Sequence, residues 1–223
     1  MSLEWMLIRG SGLVAFVLLA AATVWGLVVS LGVLPRSVKN LTLVHESLSV
    51  GALLAVMVHM AGLLIDDFVE FDLEALLVPG RSGWRPLAVS WGIVSFYGMV
   101  LVIASFYVRK SIGQGQWRAI HYGSFGVFLG ALVHGLSAGT DSGHPAVFAL
   151  YAAAATVVAV LVVVRVAMAR AGGQGARASA PAGPGAAQAE PAEGGSRENR
   201  PKRDRAAMLA AAREAAGSPR GDG

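Results

Sequence analysis

Residues 41–65 read LTLVHESLSVGALLAVMVHMAGLLI, a run long and apolar enough to cross a bilayer that nevertheless carries histidines at positions 45 and 59. Fourteen residues at ~1.5 Å each put His45 and His59 roughly 20 Å apart along a helix, about two thirds of a ~30 Å hydrocarbon core. A second apolar run, 119–136, carries His121 and His134, thirteen residues apart. Titratable side chains at membrane depth are costly and generally functional. Four of them, paired at two matched depths, govern how the rest of the chain is read.

The chain has 223 residues, of which 55% are hydrophobic and 14% charged, and its mean hydropathy is +0.59. This is membrane composition rather than that of a soluble domain around one core. Cysteine is absent, which excludes disulfides, zinc knuckles, iron–sulfur clusters, thiolate catalysis and covalent haem attachment through C-x-x-C-H. Ten of the eighteen Lys and Arg residues fall from Arg165 onward. The basic balance is therefore assigned to orientation and to attraction by anionic membrane lipid, with no nucleic-acid partner.

Five apolar runs qualify as spans: 10–34, 41–65, 87–108, 119–136 and 146–164. The fourth is rich in glycine (Gly123, Gly126, Gly130, Gly135), which suits either close helix packing or a flat ligand. Residues 68–78 alternate acidic and apolar residues and are expected to form a short interfacial helix. Arg36, Lys39, Arg109, Lys110, Arg118, Arg165 and Arg170 lie beside alternate membrane ends, against Arg9, Arg81 and Arg85 on the other side. The positive-inside rule then places the N-terminus outside and the C-terminus in the cytoplasm of a multi-pass plasma-membrane protein. The first run exceeds a typical 7–15-residue signal core and is expected to be retained. From Ala171 the chain turns to Ala, Gly, Pro, Ser and Gln without periodicity, the composition of a disordered tail. Within it, 203–216 has the makings of a short Ala/Arg-rich helix, near the marginal length for stability in water.

Fourteen helical steps leave His45 and His59 within ~40° of one face, whereas thirteen leave His121 and His134 about 140° apart. Either the glycines bend the fourth span or its two histidines are approached from different sides. The second and fourth spans run parallel, so His45 lies level with His121 near the cytoplasmic side and His59 with His134 near the outer side. Two neutral imidazoles at one level suit the axial positions of a haem iron, which suppresses oxygen binding and favours electron transfer. Zinc or copper transport would call for ligands three or four residues apart, or for carboxylates beside the histidines. Only Glu46 neighbours a histidine in sequence, about 100° round the helix.

These residues resemble the ferric-reductase-like transmembrane family, which includes ferric reductases, the membrane domain of NADPH oxidases and the haem subunit of the periplasmic methionine-sulfoxide reductase system. The resemblance covers about 1–168 and rests on Arg9-Gly10-Ser11-Gly12, on His45 with His59, on WRAIHYGSF around His121 and on LVHGLSAGTD from Leu132. The oxidases share the intervals 14 and 13, whereas the methionine-sulfoxide subunit lacks part of the set. The likeness implies an all-α integral membrane bundle of about five transmembrane helices binding two stacked b haems. His45 and His121 would hold the inner haem and His59 and His134 the outer one, with a disordered tail over 169–223. It further implies a membrane b-type cytochrome carrying electrons across the bilayer, an oxidoreductase component. The family's flavin and nicotinamide module finds no room in a tail of about fifty residues without a G-x-G-x-x-G after a strand. The electron donor is then a separate reductase or membrane quinol, and the acceptor lies outside.

Other residues carry smaller expectations. Arg118, Arg36 and Lys39 are candidates for inner-haem propionates, and Arg81 and Arg85 for outer ones, the other reading of each being a positive-inside or interfacial anchor. Arg9 stands on the same footing. His144, near Asp141, is either an acceptor-binding residue or a solvated loop histidine. Trp5, Trp84 and Trp117 read as belt anchors. Two other functions remain open: a quinol-linked haem subunit serving an extracytoplasmic oxidoreductase, and a non-redox metal-binding membrane protein. Because 171–223 holds no histidine and little apolar surface, truncation after Arg170 should leave membrane insertion and haem content unchanged, as read by membrane fractionation and visible absorption.

Overall fold

Each apolar run becomes a helix because a backbone in hydrocarbon has to satisfy its own N–H and C=O groups. A computed structural model describes residues 3–34, 40–65 and 71–178. In chain order the helices are α1 (Leu3–Leu31), α2 (Leu41–Leu64), α3 (Leu73–Leu77), α4 (Pro86–Tyr107), α5 (Arg109–Ile112), α6 (Gln114–Ala138) and α7 (Pro145–Ala178). Among the described residues no strand forms. Five helices, α1, α2, α4, α6 and α7, are long and apolar enough to cross a membrane. Their outward faces carry large apolar side chains such as Leu54, Leu101 and Val163, each more than half exposed. Apolar faces of that extent call for lipid rather than water around them.

The ends follow local chemistry. Gly32, with φ +69°, stops α1 just past Leu31, the left-handed position glycine takes without penalty. The expected interfacial helix shortens to α3, opened by the Asp72 carboxylate accepting from the Ala75 N–H at 2.7 Å. Its acidic lead-in, 66–70, lies outside the described residues. The basic connection after α4 is not a plain loop. It makes the single turn α5 and breaks at Gly113, φ +83°, before α6 begins. Helix α1 starts at Leu3 rather than near Gly10, so Arg9 sits inside it. Helix α7 continues past Ala171 to Ala178; the remainder of the expected tail, including 203–216, lies outside the described residues.

Helix α1 packs along α2 and α4 along α6, with α7 closing lightly on α1 and α6. One apolar cluster joins α1, α6 and α7 through Phe16, Phe128 and Tyr151. A second joins α2, α4 and α6 at mid-height, where Ala52, Met99 and Val127 meet under Leu18, Leu19 and Val56. Glycines of α6 divide in role. A Cβ on Gly135 would strike the Tyr151 ring and one on Gly130 would meet Ser95 and Trp91, whereas Gly123 and Gly126 face open space. Ala52 is fully enclosed, so Ala52→Phe should overpack the middle cluster and cost about 1–3 kcal/mol. A lowered thermal unfolding midpoint in detergent would register it.

Candidate functional site

The four histidines converge in pairs at the two ends of the bundle. His45 of α2 and His121 of α6 face each other with ring centroids 6.0 Å apart and planes at 64°. His59 of α2 and His134 of α6 line one cavity of about 450 Å³ at the opposite end. Helix α6 runs unbroken between its two histidines. The thirteen-residue spacing is therefore met by different directions of departure: His121 turns to α2, and His134 lies against α4.

Three of the four rings are held the same way. The Nδ1 of His45 donates to the Ala22 carbonyl at 3.0 Å, that of His59 to Ile8 at 2.9 Å, and that of His134 to Ala88 at 2.8 Å. Four residues beyond each acceptor stands a glycine. A Cβ on Gly26 would come within 3.2 Å of the His45 ring, one on Gly12 within 3.0 Å of His59, and one on Gly92 within 2.7 Å of His134. Helix i→i+4 geometry aims each carbonyl at that next-turn residue, so a side chain there would block access to the oxygen's second lone pair. The carbonyl fixes the proton on Nδ1 and leaves Nε2 as the free nitrogen with an available lone pair.

His121 is the exception. It has no carbonyl seat, and its ring instead stacks on Trp117 with centroids 5.2 Å apart and planes at 29°. Beside the His45/His121 pair lies a smaller space of about 60 Å³, lined by Thr42, Glu46, Ser49, Phe106 and Tyr107 among others. There the Tyr107 hydroxyl donates to the Glu46 carboxylate at 3.0 Å.

The predicted cationic partners scatter. Arg118 is exposed and is not among the residues lining the space beside His45 and His121. Arg81 pairs with Glu74 at 2.6 Å, and Arg85 donates to the Ser137 carbonyl while its guanidinium lies 4.9 Å over Trp84. Arg9 forms an ion pair with Asp141 across 132 residues, and both line the large cavity. Arg36 and Lys39 lie outside the described residues. His144 accepts from the Ala146 N–H at 3.3 Å and so caps the start of α7.

The carbonyl seats were not anticipated from sequence, because any residue supplies a carbonyl. Their one sequence signal is the glycine: Gly12 and Gly26 are fourteen apart, the interval of His45 and His59 on the antiparallel partner. No family model, curated protein or solved structure matches the chain.

With Nδ1 committed at three rings, ¹⁵N spectra of histidine-labelled protein free of metal should report Nδ1–H tautomers for His45, His59 and His134. Gly92→Val should abolish the His134 signal pattern alone, since its added carbons stand where that ring lies.

Proposed function

We propose that the chain is a ferric-reductase-like membrane cytochrome b that carries electrons across the bilayer through two bis-histidine haems, one at each end of the bundle. The observation that carries this reading is the pairing of four histidines with Nδ1 anchored at three of them. Two imidazoles that share one metal, each ~2.0–2.1 Å from it through nitrogen, hold their ring centres roughly 6 Å apart. The ring centres of His45 and His121 stand 6.0 Å apart, with about 60 Å³ of space beside them. At the other end the volume supplies the fit: about 450 Å³ between His59 and His134 falls in the range of cofactor cavities.

A haem would be held by two imidazoles, His59 with His134 at one end and His45 with His121 at the other, in a shaped apolar slot. A bare ion asks for more. Among the described residues no three His, Asp or Glu side chains come together, which favours the macrocycle over a zinc or copper site. Two imidazoles on a haem iron support one-electron transfer with little rearrangement. The residues here do the positioning. Ala22, Ile8 and Ala88 fix ring orientation and raise the basicity of the free Nε2. Ala52, Met99 and Val127 fill the space between the two levels and exclude water from it.

The orientation reading gains from the ion pairs. Arg9 and Arg81, at the His59/His134 end, are each matched by an acid, whereas Arg109, Lys110 and Arg118 gather at the other. That asymmetry supports an N-terminus outside, with His45 and His121 on the cytoplasmic side of the plasma membrane. Electrons would enter there from a separate reductase or quinol and leave to an acceptor outside.

Pyridine haemochrome measurement on purified protein should give two b haems per chain. His59→Ala and His134→Ala should each remove one and the same spectral component, and His45→Ala and His121→Ala the other. A colourless protein from haem-replete cells would discard the reading, and a shared phenotype of His45 and His134 would discard the pairing.

A further inference from the structure

The two ends of the bundle differ in how ready they are to receive a group between their imidazoles. His59 and His134 are drawn back to Ile8 of α1 and Ala88 of α4, and both line the cavity of about 450 Å³. That volume falls in the range of roughly 300–1,000 Å³ typical of cofactor pockets. His45 and His121 stand with ring centres 6.0 Å apart beside only about 60 Å³. Such a space admits a few water molecules but no macrocycle. A haem reaches this end only after something moves.

Which group moves is set by how each is held. His45 donates to the Ala22 carbonyl, and a Cβ on Gly26 would come within 3.2 Å of its ring. The same α1–α2 register seats His59 on Ile8, so His45 is fixed from both ends of its helix. His121 has no such bond, and its ring rests on Trp117 with centroids 5.2 Å apart. A ring leaves a stack by side-chain rotation, whereas leaving a carbonyl strands an N–H in hydrocarbon. His121 is the one that gives way.

A second contact closes the same end. The small space is lined by Thr42, Glu46 and Ser49 of α2 on one side and by Val102, Phe106 and Tyr107 of α4 on the other. Among the described residues one hydrogen bond joins the two sides, from the Tyr107 hydroxyl to the Glu46 carboxylate at 3.0 Å. Tyr107 is the last residue of α4 and is exposed, so its ring can turn away without disturbing the packed interior.

Resting on the haem reading, we propose that the His45/His121 end is a closed site that loads its haem after the His59/His134 end. Two contacts hold it shut, the Tyr107–Glu46 hydrogen bond and the His121–Trp117 stack. The His59/His134 cavity fills first because its imidazoles already stand apart, both anchored with Nε2 free. The other end fills second and more slowly, since Tyr107 has to leave Glu46 and His121 has to leave Trp117.

The test is a haem titration of haem-free, full-length protein in detergent, followed by visible absorption at equilibrium and by stopped-flow mixing. His59→Ala and His121→Ala identify the two spectral components by the one each lacks. In wild type the first equivalent should build the component missing from His59→Ala, and the second, more slowly, the component missing from His121→Ala. Tyr107→Phe keeps the ring and removes the bond, and should speed the second phase roughly two- to tenfold, the effect of one hydrogen bond. Trp117→Ala, which frees His121, should speed the same phase, and neither variant should change the first. Parallel growth of both components at every ratio, or the reverse order, would overturn the sequence of loading. An unchanged second phase in either variant would overturn the contact it removes. Should Tyr107→Phe fail to accumulate, Glu46→Ala breaks the same bond and carries the same expectation. Uptake that ends at one equivalent would overturn the second loading step and the two-haem count with it. Wild-type protein that takes up no haem at all would instead sink the functional reading.

Discussion

A buried imidazole in a lipid-embedded bundle has one N–H that needs an acceptor, and here a backbone carbonyl of the neighbouring helix provides it. Helix carbonyls are already used once, by the N–H four residues on, but each keeps a second lone pair. Reaching that lone pair from a neighbouring helix requires that the residue one turn on carry no side chain. Ile8 with Gly12, Ala22 with Gly26 and Ala88 with Gly92 satisfy this condition, and a histidine ring rests on each. Each such bond contributes about 1 kcal/mol net, while an unmade one in hydrocarbon costs several kcal/mol. The seat therefore acts mainly by forbidding alternatives: α1 and α2 can adopt few registers other than the one in which both histidines of α2 are seated on α1.

The intervals explain why three rings are seated and one is not. On α1 the two seats are fourteen residues apart, as are the two histidines of α2. Fourteen steps return within ~40° of the same face on both helices, so one antiparallel register serves both bonds. On α6 the histidines are thirteen apart. The register that sets His134 on Ala88 brings His121 level with Leu101 of α4, about 140° round from the first seat, and Ser105, not glycine, stands one turn beyond. Ser105 is buried and spends its hydroxyl on the Val102 carbonyl at 2.7 Å. His121 accordingly turns away from α4, to α2 and to Trp117. The awkward interval and the missing seat are one fact.

The spans were legible because a bilayer makes a simple demand, about twenty apolar residues per crossing, and five runs meet it. The pairing of histidines by level was legible from alternation of direction alone. What composition could not show is contact across the chain. Arg9 reads as an anchor until Asp141 is found opposite it, and Trp117 reads as a belt residue until its N–H proves to be shielded. Helix α5 escaped notice because a single turn of RKSI has the composition of a loop, and only Gly113 marks where one helix yields to the next. The carbonyl acceptors had no residue identity to be read. Their glycines did, and the shared fourteen-residue interval of Gly12 with Gly26 and His45 with His59 links two helices that a span-by-span reading treats separately.

The two ends also differ in enclosure, and the difference follows from the seats. At the His59/His134 end both rings are drawn back against α1 and α4 by their bonds to Ile8 and Ala88. Withdrawing both leaves the about 450 Å³ between them, walled by Phe16, Met99 and Tyr151 and reaching Arg9 and Asp141. At the other end only His45 is drawn back. His121 leans into the gap, and about 60 Å³ remains beside the pair. A pair of imidazoles both held by backbone is preorganised, because helix carbonyls move only with their helices. A pair with one imidazole held by backbone and one stacked on an indole can adjust by side-chain rotation. The end with the seated pair is thus the rigid, roomy one, and the end with His121 is the one whose geometry a bound group, a neighbouring donor or a change at Trp117 can still alter.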